Sequence, residues 1–187
     1  MTYDLKNVFY LDTQFDIAAA VAANTETGRT LDVSAYIDPV ATNRATGVGL
    51  AIYKVHFDYG FSSGNCPMPA NETAAARLAM VVGDLGFTSA ASAVILDQNS
   101  LSADNQNLIG AQDFYPPAYA ASSVYEGTVI EPSIEVPYIV VRDTLNLVIG
   151  LGSAATANIM NVSVRLECAQ VKLSGAVLNQ LLRTQTV

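Results

Sequence analysis

The sequence predicts an all-β sandwich, on three observations. Apolar residues recur at every second position in several short stretches, most regularly at Met160, Val162, Val164, Leu166 and Cys168. That period is the signature of a strand with one buried face. Gly, Pro and Asn punctuate these stretches, as turn-forming residues do. Helical periodicity is scarce, so the crossover helices of a parallel α/β sheet are missing. With 187 residues the chain suits one domain. A domain of that size buries about 70% of its unfolded surface and needs no metal or disulfide to hold it.

Taken in order, residues 7–12 form a first, weak strand, and the alanine-rich stretch 16–23 fits strand or helix. Residues 29–37 set Leu31, Val33, Ala35 and Ile37 against Thr30, Asp32, Ser34 and Tyr36. Asp38-Pro39 ends that run, because proline cannot donate to a ladder. Residues 47–59 form the longest central strand. Val48, Leu50 and Ile52 share one parity, and Tyr53, Val55, Phe57 and Tyr59 share the other. Such a switch predicts a β-bulge near Ile52-Tyr53. Asn71-Glu72 could cap a short helix through Ala74-Ala75-Ala76, while Met80-Val81-Val82 reads as extended. Further weak strands fall at 77–83, 92–96 and 124–130. Segment 97–123, with Asp104-Asn105-Gln106-Asn107 and Tyr115-Pro116-Pro117, reads as one long connection, the kind of loop that commonly faces a partner.

The C-terminal half is more regular. Pro137 introduces Tyr138-Ile139-Val140-Val141, and Arg142-Asp143 makes a turn. Leu145, Leu147, Ile149 and Leu151 then alternate. The run from Met160 to Cys168 interleaves Asn161, Ser163, Arg165 and Glu167, the pattern of a half-buried antiparallel strand. Ser174 N-caps a last helix that carries Val177, Leu178, Leu181 and Leu182 on one face. The predicted core is Leu31, Val33, Val55, Phe57, Leu147, Ile149, Val162, Val164 and Leu166. About nine strands with long connections point to an eight-stranded jelly roll with an added arm strand. The expected division is an N-terminal arm or strand over 1–28, the jelly roll over 29–173 and a C-terminal helix or tail over 174–187. An immunoglobulin-like sandwich lacks its markers, since there is no Trp and Cys66 lies far from Cys168.

Composition narrows function. The formal charge of −8 gives the chain no electrostatic claim on phosphate backbones, so no nucleic-acid partner is expected. No signal peptide is expected from the polar, mixed-charge Met1–Asn7. Six arginines against three lysines, eleven Asp against six Glu, and 27 alanines suit life in high salt, where surface repulsion is screened. An ordinary acidic protein fits the same numbers.

Chemistry is sparse. His56 is the only imidazole, and Asp58 and Ser62 are the nearest partners for a triad. Nothing supplies a nucleophile elbow, however, and Lys54, His56 and Asp58 read more simply as a solvated strand face. No enzymatic role and no cofactor are expected. A metal site of the cupin kind needs several histidines, and two cysteines without CxxC spacing make no zinc site. Asp97-x-Asn99 starts like a calcium loop but lacks its glycine and closing Glu. Gly47-Val48-Gly49 and Gly150-Leu151-Gly152 open no helix, so they mark close backbone approach rather than phosphate loops. The sequons at Asn71 and Asn161 read as chance, the second lying on a strand. The candidate intersubunit contacts are Tyr115, Tyr119 and Tyr125, in or near the long connection, and Cys66, in the turn Ser62-Ser63-Gly64-Asn65-Cys66-Pro67.

The length, the strand series from Arg29 to Cys168 and the lysine-poor acidic composition together resemble a viral coat protein of the single jelly-roll kind. More narrowly, the chain resembles the smaller major capsid protein of the sphaerolipoviruses, haloarchaeal icosahedral viruses with an internal membrane. The resemblance implies a structural subunit of the virion that assembles with itself and a second capsid protein above a membrane vesicle. Residues 1–28 carry Lys6 as their only base, against Asp4, Asp12, Asp16 and Glu26. They make no genome-neutralising arm, which a shell separated from its genome by a membrane does not need. The competing readings are a jelly-roll carbohydrate-binding or adhesion module and a hydrolase with a cryptic site.

Overall fold

The computed structural model describes residues 8–38, 46–62, 75–93, 101–115, 125–152 and 159–185. The strands are β1 (Phe9–Ile17), β2 (Glu26–Asp32), β3 (Thr46–Phe61), β4 (Ala76–Val82), β5 (Ser92–Ala93), β6 (Leu108–Tyr115), β7 (Tyr125–Ile130), β8 (Tyr138–Val140), β9 (Thr144–Leu151) and β10 (Met160–Ser174). One helix follows, α1 (Gly175–Thr184). Nine of these strands have three residues or more, and β5 is a two-residue addition at a sheet edge. All pairings among the described residues are antiparallel. They form a four-stranded sheet, ordered β1-β10-β3-β8, and a six-stranded sheet, ordered β5-β2-β9-β4-β6-β7.

Period-two alternation supplies the core between the sheets. Met160, Val162, Val164, Leu166 and Cys168 face inward from β10, and Leu145, Leu147, Ile149 and Leu151 face them from β9. Tyr59 meets Phe114 edge-on across the gap, ring centroids 5.9 Å apart. Of the predicted core, Val33, Val55, Leu147, Ile149, Val162, Val164 and Leu166 are buried. Leu31 and Phe57 are half-buried and pack against the core's margin.

The bulge falls where the parity switch puts it. Glu167 pairs with Lys54 and Cys168 with Ile52, so Tyr53 is the extra residue. Before it, Leu50 and Ile52 point into the core; after it, Val55 and Tyr59 do. The bulge divides the outer face of this sheet. On one side Ala51, Tyr53, Ala169, Val171 and Leu173 form an apolar patch that α1 covers with Leu178, flanked by Val177, Leu181 and Leu182. Ser174 caps the helix, its hydroxyl accepting from Val177 N–H. Gly47 makes the close approach possible, since a Cβ there would stand 2.7 Å from Leu178. On the other side the outer face is polar.

Two expectations need correction, over 29–37 and over 97–123. The run 29–37 is not one strand: β2 stops at Asp32, whose carboxylate accepts Ser34 N–H at 2.8 Å and turns the chain into a 3₁₀ turn over Ser34–Tyr36. The segment 97–123 is not one loop, because β6 occupies its middle and pairs with β4 and β7. Within residues 1–28, expected as an arm or strand, β1 is a full strand of the four-stranded sheet. β1 pairs with β10 along all nine residues and buries Phe15 and Ile17 in the core, and the boundary at 28/29 falls inside β2. Of the strand expected at 92–96, the described part is Ser92–Ala93. The helix considered after Asn71 lies outside the described residues.

Candidate functional site

The polar half of the four-stranded sheet is the most chemically furnished surface. Strand register fixes its layout. Tyr10, Glu167 and Lys54 make one row across β1, β10 and β3; Asp12, Arg165 and His56 make the next; Gln14, Ser163 and Asp58 make the third. These residues point outward because their neighbours Val162, Val164 and Leu166 point inward. His56 Nε2 lies 2.8 Å from Glu167 Oε1 across the diagonal between two rows. The Arg165 guanidinium sits 5.9 Å from the centroid of the Tyr10 ring, a cation–π contact. Asn161 donates to Asp16 Oδ1 at 2.9 Å. The edge of β1 is closed in part by Arg29, which donates through Nη1 to the Gln14 carbonyl.

A groove of about 870 Å³ runs over this face, with Tyr10, Gln14, Arg29, His56, Asp58 and Glu167 among its lining. At its margin the Asp32 carboxyl is held below the usual range by the Ser34 N–H and hydroxyl.

His56 stands with Lys54 and Asp58 on an exposed strand face, as the alternation predicts. Its partner is Glu167, however, and not Asp58. Ser62 is six residues further along the strand, roughly 20 Å away at strand rise, so His56, Asp58 and Ser62 make no triad. Ser163, also in the groove lining, is opposite Asp58 and one row from His56.

A second, shallower hollow of about 440 Å³ lies on the six-stranded sheet and contains Tyr115, Arg77, Asp113 and Glu26. Arg77 grips Asp113 with a two-point fork, Nε to Oδ1 at 2.6 Å and Nη2 to Oδ2 at 2.8 Å. The Asp113 carboxylate raises the Arg77 pKa. The pair sits at directly opposed positions on β4 and β6.

Of the candidate contact residues, Tyr115 ends β6 with its side chain 47% exposed. Tyr125 begins β7 in register opposite it. Tyr119 and Cys66 lie outside the described residues, as does Asp97-x-Asn99. Cys168 is a buried free thiol in the core, and burial, with Glu167 beside it, pushes its pKa up from 9.0 to about 12. Among the described residues, no group of three or more His, Cys, Asp and Glu is placed to hold a metal ion, and no helix is long and apolar enough to cross a membrane.

Sequence reasoning singled out neither the groove nor the Arg77–Asp113 fork. The single signal available was the polar alternation on β1, β3 and β10; only register shows that those three polar faces are one surface.

Fold and site together define an antiparallel two-sheet β protein with a polar groove on one outer face. No family model matches the chain, and no curated protein matches it.

Proposed function

We propose that the chain is a structural capsid subunit built on a single jelly roll. It assembles with copies of itself, and with a second capsid protein, into the icosahedral shell of a membrane-containing virus. The observation that carries this reading is the strand order. Set aside β5 and β7 at the edges of the larger sheet, and eight strands remain, ordered β1-β10-β3-β8 and β2-β9-β4-β6. Successive strands cross from one sheet to the other except between β4 and β6, as in a double Greek key. Among the uses of that fold, the metal-dependent enzymes need clustered histidines, whereas this chain has one, on an outer face. The acidic composition, with Lys6 the only base among residues 1–28, favours a shell that does not touch its genome. In this reading His56 is a surface residue with no catalytic role, and the protein is a component of the virion.

The test is assembly. Purified protein is followed by sedimentation velocity and negative-stain electron microscopy, from dilute to molar salt. Symmetric capsomers or shells are the expected result. A monodisperse monomer throughout, alone and together with the coat proteins of a purified haloarchaeal virion, overturns the reading.

A further inference from the structure

We propose that the groove over β1, β10 and β3 is a binding site for a neutral, polyhydroxylated ligand, an oligosaccharide. This goes beyond the capsid reading and does not depend on it.

The chemistry of the lining selects the ligand class. At about 870 Å³ the groove is within the usual size of a small-molecule site. Such sites are mostly apolar, but here Asp12, Gln14, His56, Asp58, Arg165 and Glu167 face the space, so an apolar ligand would strip water from polar groups without replacing it. A phosphate or sulfate ester would meet four carboxylates, Asp12, Asp32, Asp58 and Glu167. A metal ion would need converging ligands, and the described residues offer no such cluster. A polycation would meet Arg29 and Arg165.

What remains is a ligand that donates and accepts at every edge without carrying charge. Hydroxyl groups do both. The acceptors Asp58 and Gln14 alternate with the donors Ser163 and Arg165 on a grid set by the strand spacing of about 4.8 Å. Beside that grid Tyr10 is 64% exposed. Arg165 holds the ring from one side. The free ring surface is the apolar, pre-positioned platform on which the C–H face of a sugar stacks.

The grid is also rigid. Arg165 is engaged with Tyr10 and His56 with Glu167. The strands beneath are paired along their lengths, so little conformational entropy is lost on binding.

The probe is an array of neutral and acidic oligosaccharides, with each hit titrated calorimetrically against the full chain. A related set of neutral glycans is expected to bind. Tyr10→Ala and Asp58→Ala are each expected to weaken the hit by about tenfold or more, while Tyr10→Phe retains it. Ile134→Ser, remote from the groove, leaves binding unchanged. Tyr10 and Asp58 point outward, so the variants should keep the wild-type far-UV spectrum and melting temperature; should Tyr10→Ala fail to fold, Asp58→Ala and Tyr10→Phe read the same site. No array member bound, binding confined to acidic glycans, or binding unaltered in the folded variants overturns the proposal. Loss of assembly in Tyr10→Ala without glycan binding also overturns it, and gives the face to a subunit contact.

Discussion

The side-chain amide of Gln185 donates to the carbonyl oxygen of Ile139 on the free edge of β8. Its Oε1 accepts the N–H of Val141 at 3.1 Å. One glutamine therefore does for this edge what another strand would do. It also ties the end of α1 to the sheet, together with Arg142, which donates to the Gln185 and Leu182 carbonyls. Gln185 is 4% exposed, so both bonds are shielded from water.

Gln185→Ala leaves two backbone groups of the edge without partners. The expected cost is about 1–3 kcal/mol. Amide hydrogen exchange at Val141 should accelerate, while that of β10 should not. If Val141 exchange is unchanged, the apolar face of α1 alone holds the edge.

Leu166 is fully buried between the sheets. Leu166→Ala is expected to destabilise the fold by about 2–5 kcal/mol, as cavity formation does in a close-packed core. Chemical denaturation gives the value. A loss under about 1 kcal/mol would mean that the two sheets close over the gap.

The Arg77–Asp113 fork predicts an asymmetric mutational response. The Asp113 side chain is 10% exposed, whereas that of Arg77 is 38% exposed. Asp113→Ala deprives the half-buried guanidinium of its partner and should cost about 1–3 kcal/mol. Arg77→Lys loses the two-point geometry and should fall between wild type and Asp113→Ala. The double replacement Arg77→Met with Asp113→Leu should recover part of the loss, since no charge is then left unpaired. Additive losses in the double variant would refute the pairing.

Alkaline pH should weaken the fold. Burial raises Cys168 from 9.0 to about 12 and Tyr138 from 10.0 to about 12. Between the unfolded and folded values the unfolded chain has released these protons and the native chain has kept them. Stability is therefore complete below about pH 9 and declines as pH rises towards 12. Urea midpoints across that range should fall. Cys168→Ala should flatten the part of the slope that begins near pH 9. At neutral pH iodoacetamide should leave Cys168 unmodified until the chain unfolds.

The chain's own alternation determined most of the sandwich. β3, β9 and β10 are legible because each has one apolar face and one polar face, and burial of the apolar face fixes their register. Even the bulge at Tyr53 is local information, since the parity of Leu50 and Ile52 against Val55 and Tyr59 can only be reconciled by one extra residue. The last helix is likewise local, from Ser174 as cap to the spacing of Leu178, Leu181 and Leu182.

Tertiary structure decided what lacks a local signal. β6 reads as loop because Gly110, Gln112 and Asp113 interrupt its apolar pattern. It is a strand because Arg77, 36 residues away, neutralises Asp113 from the next strand. β1 reads only as a weak strand over 7–12, because its outward residues Tyr10, Asp12, Gln14 and Asp16 dominate a short apolar row. It joins the sheet because β10 offers nine residues of paired backbone. His56 meets Glu167 across a separation of 111 residues. The groove follows from the same cause: three polar faces become one surface only when antiparallel pairing brings distant strands to a spacing of about 4.8 Å. Sequence period sets which way each side chain points; which partners it then meets depends on strand order.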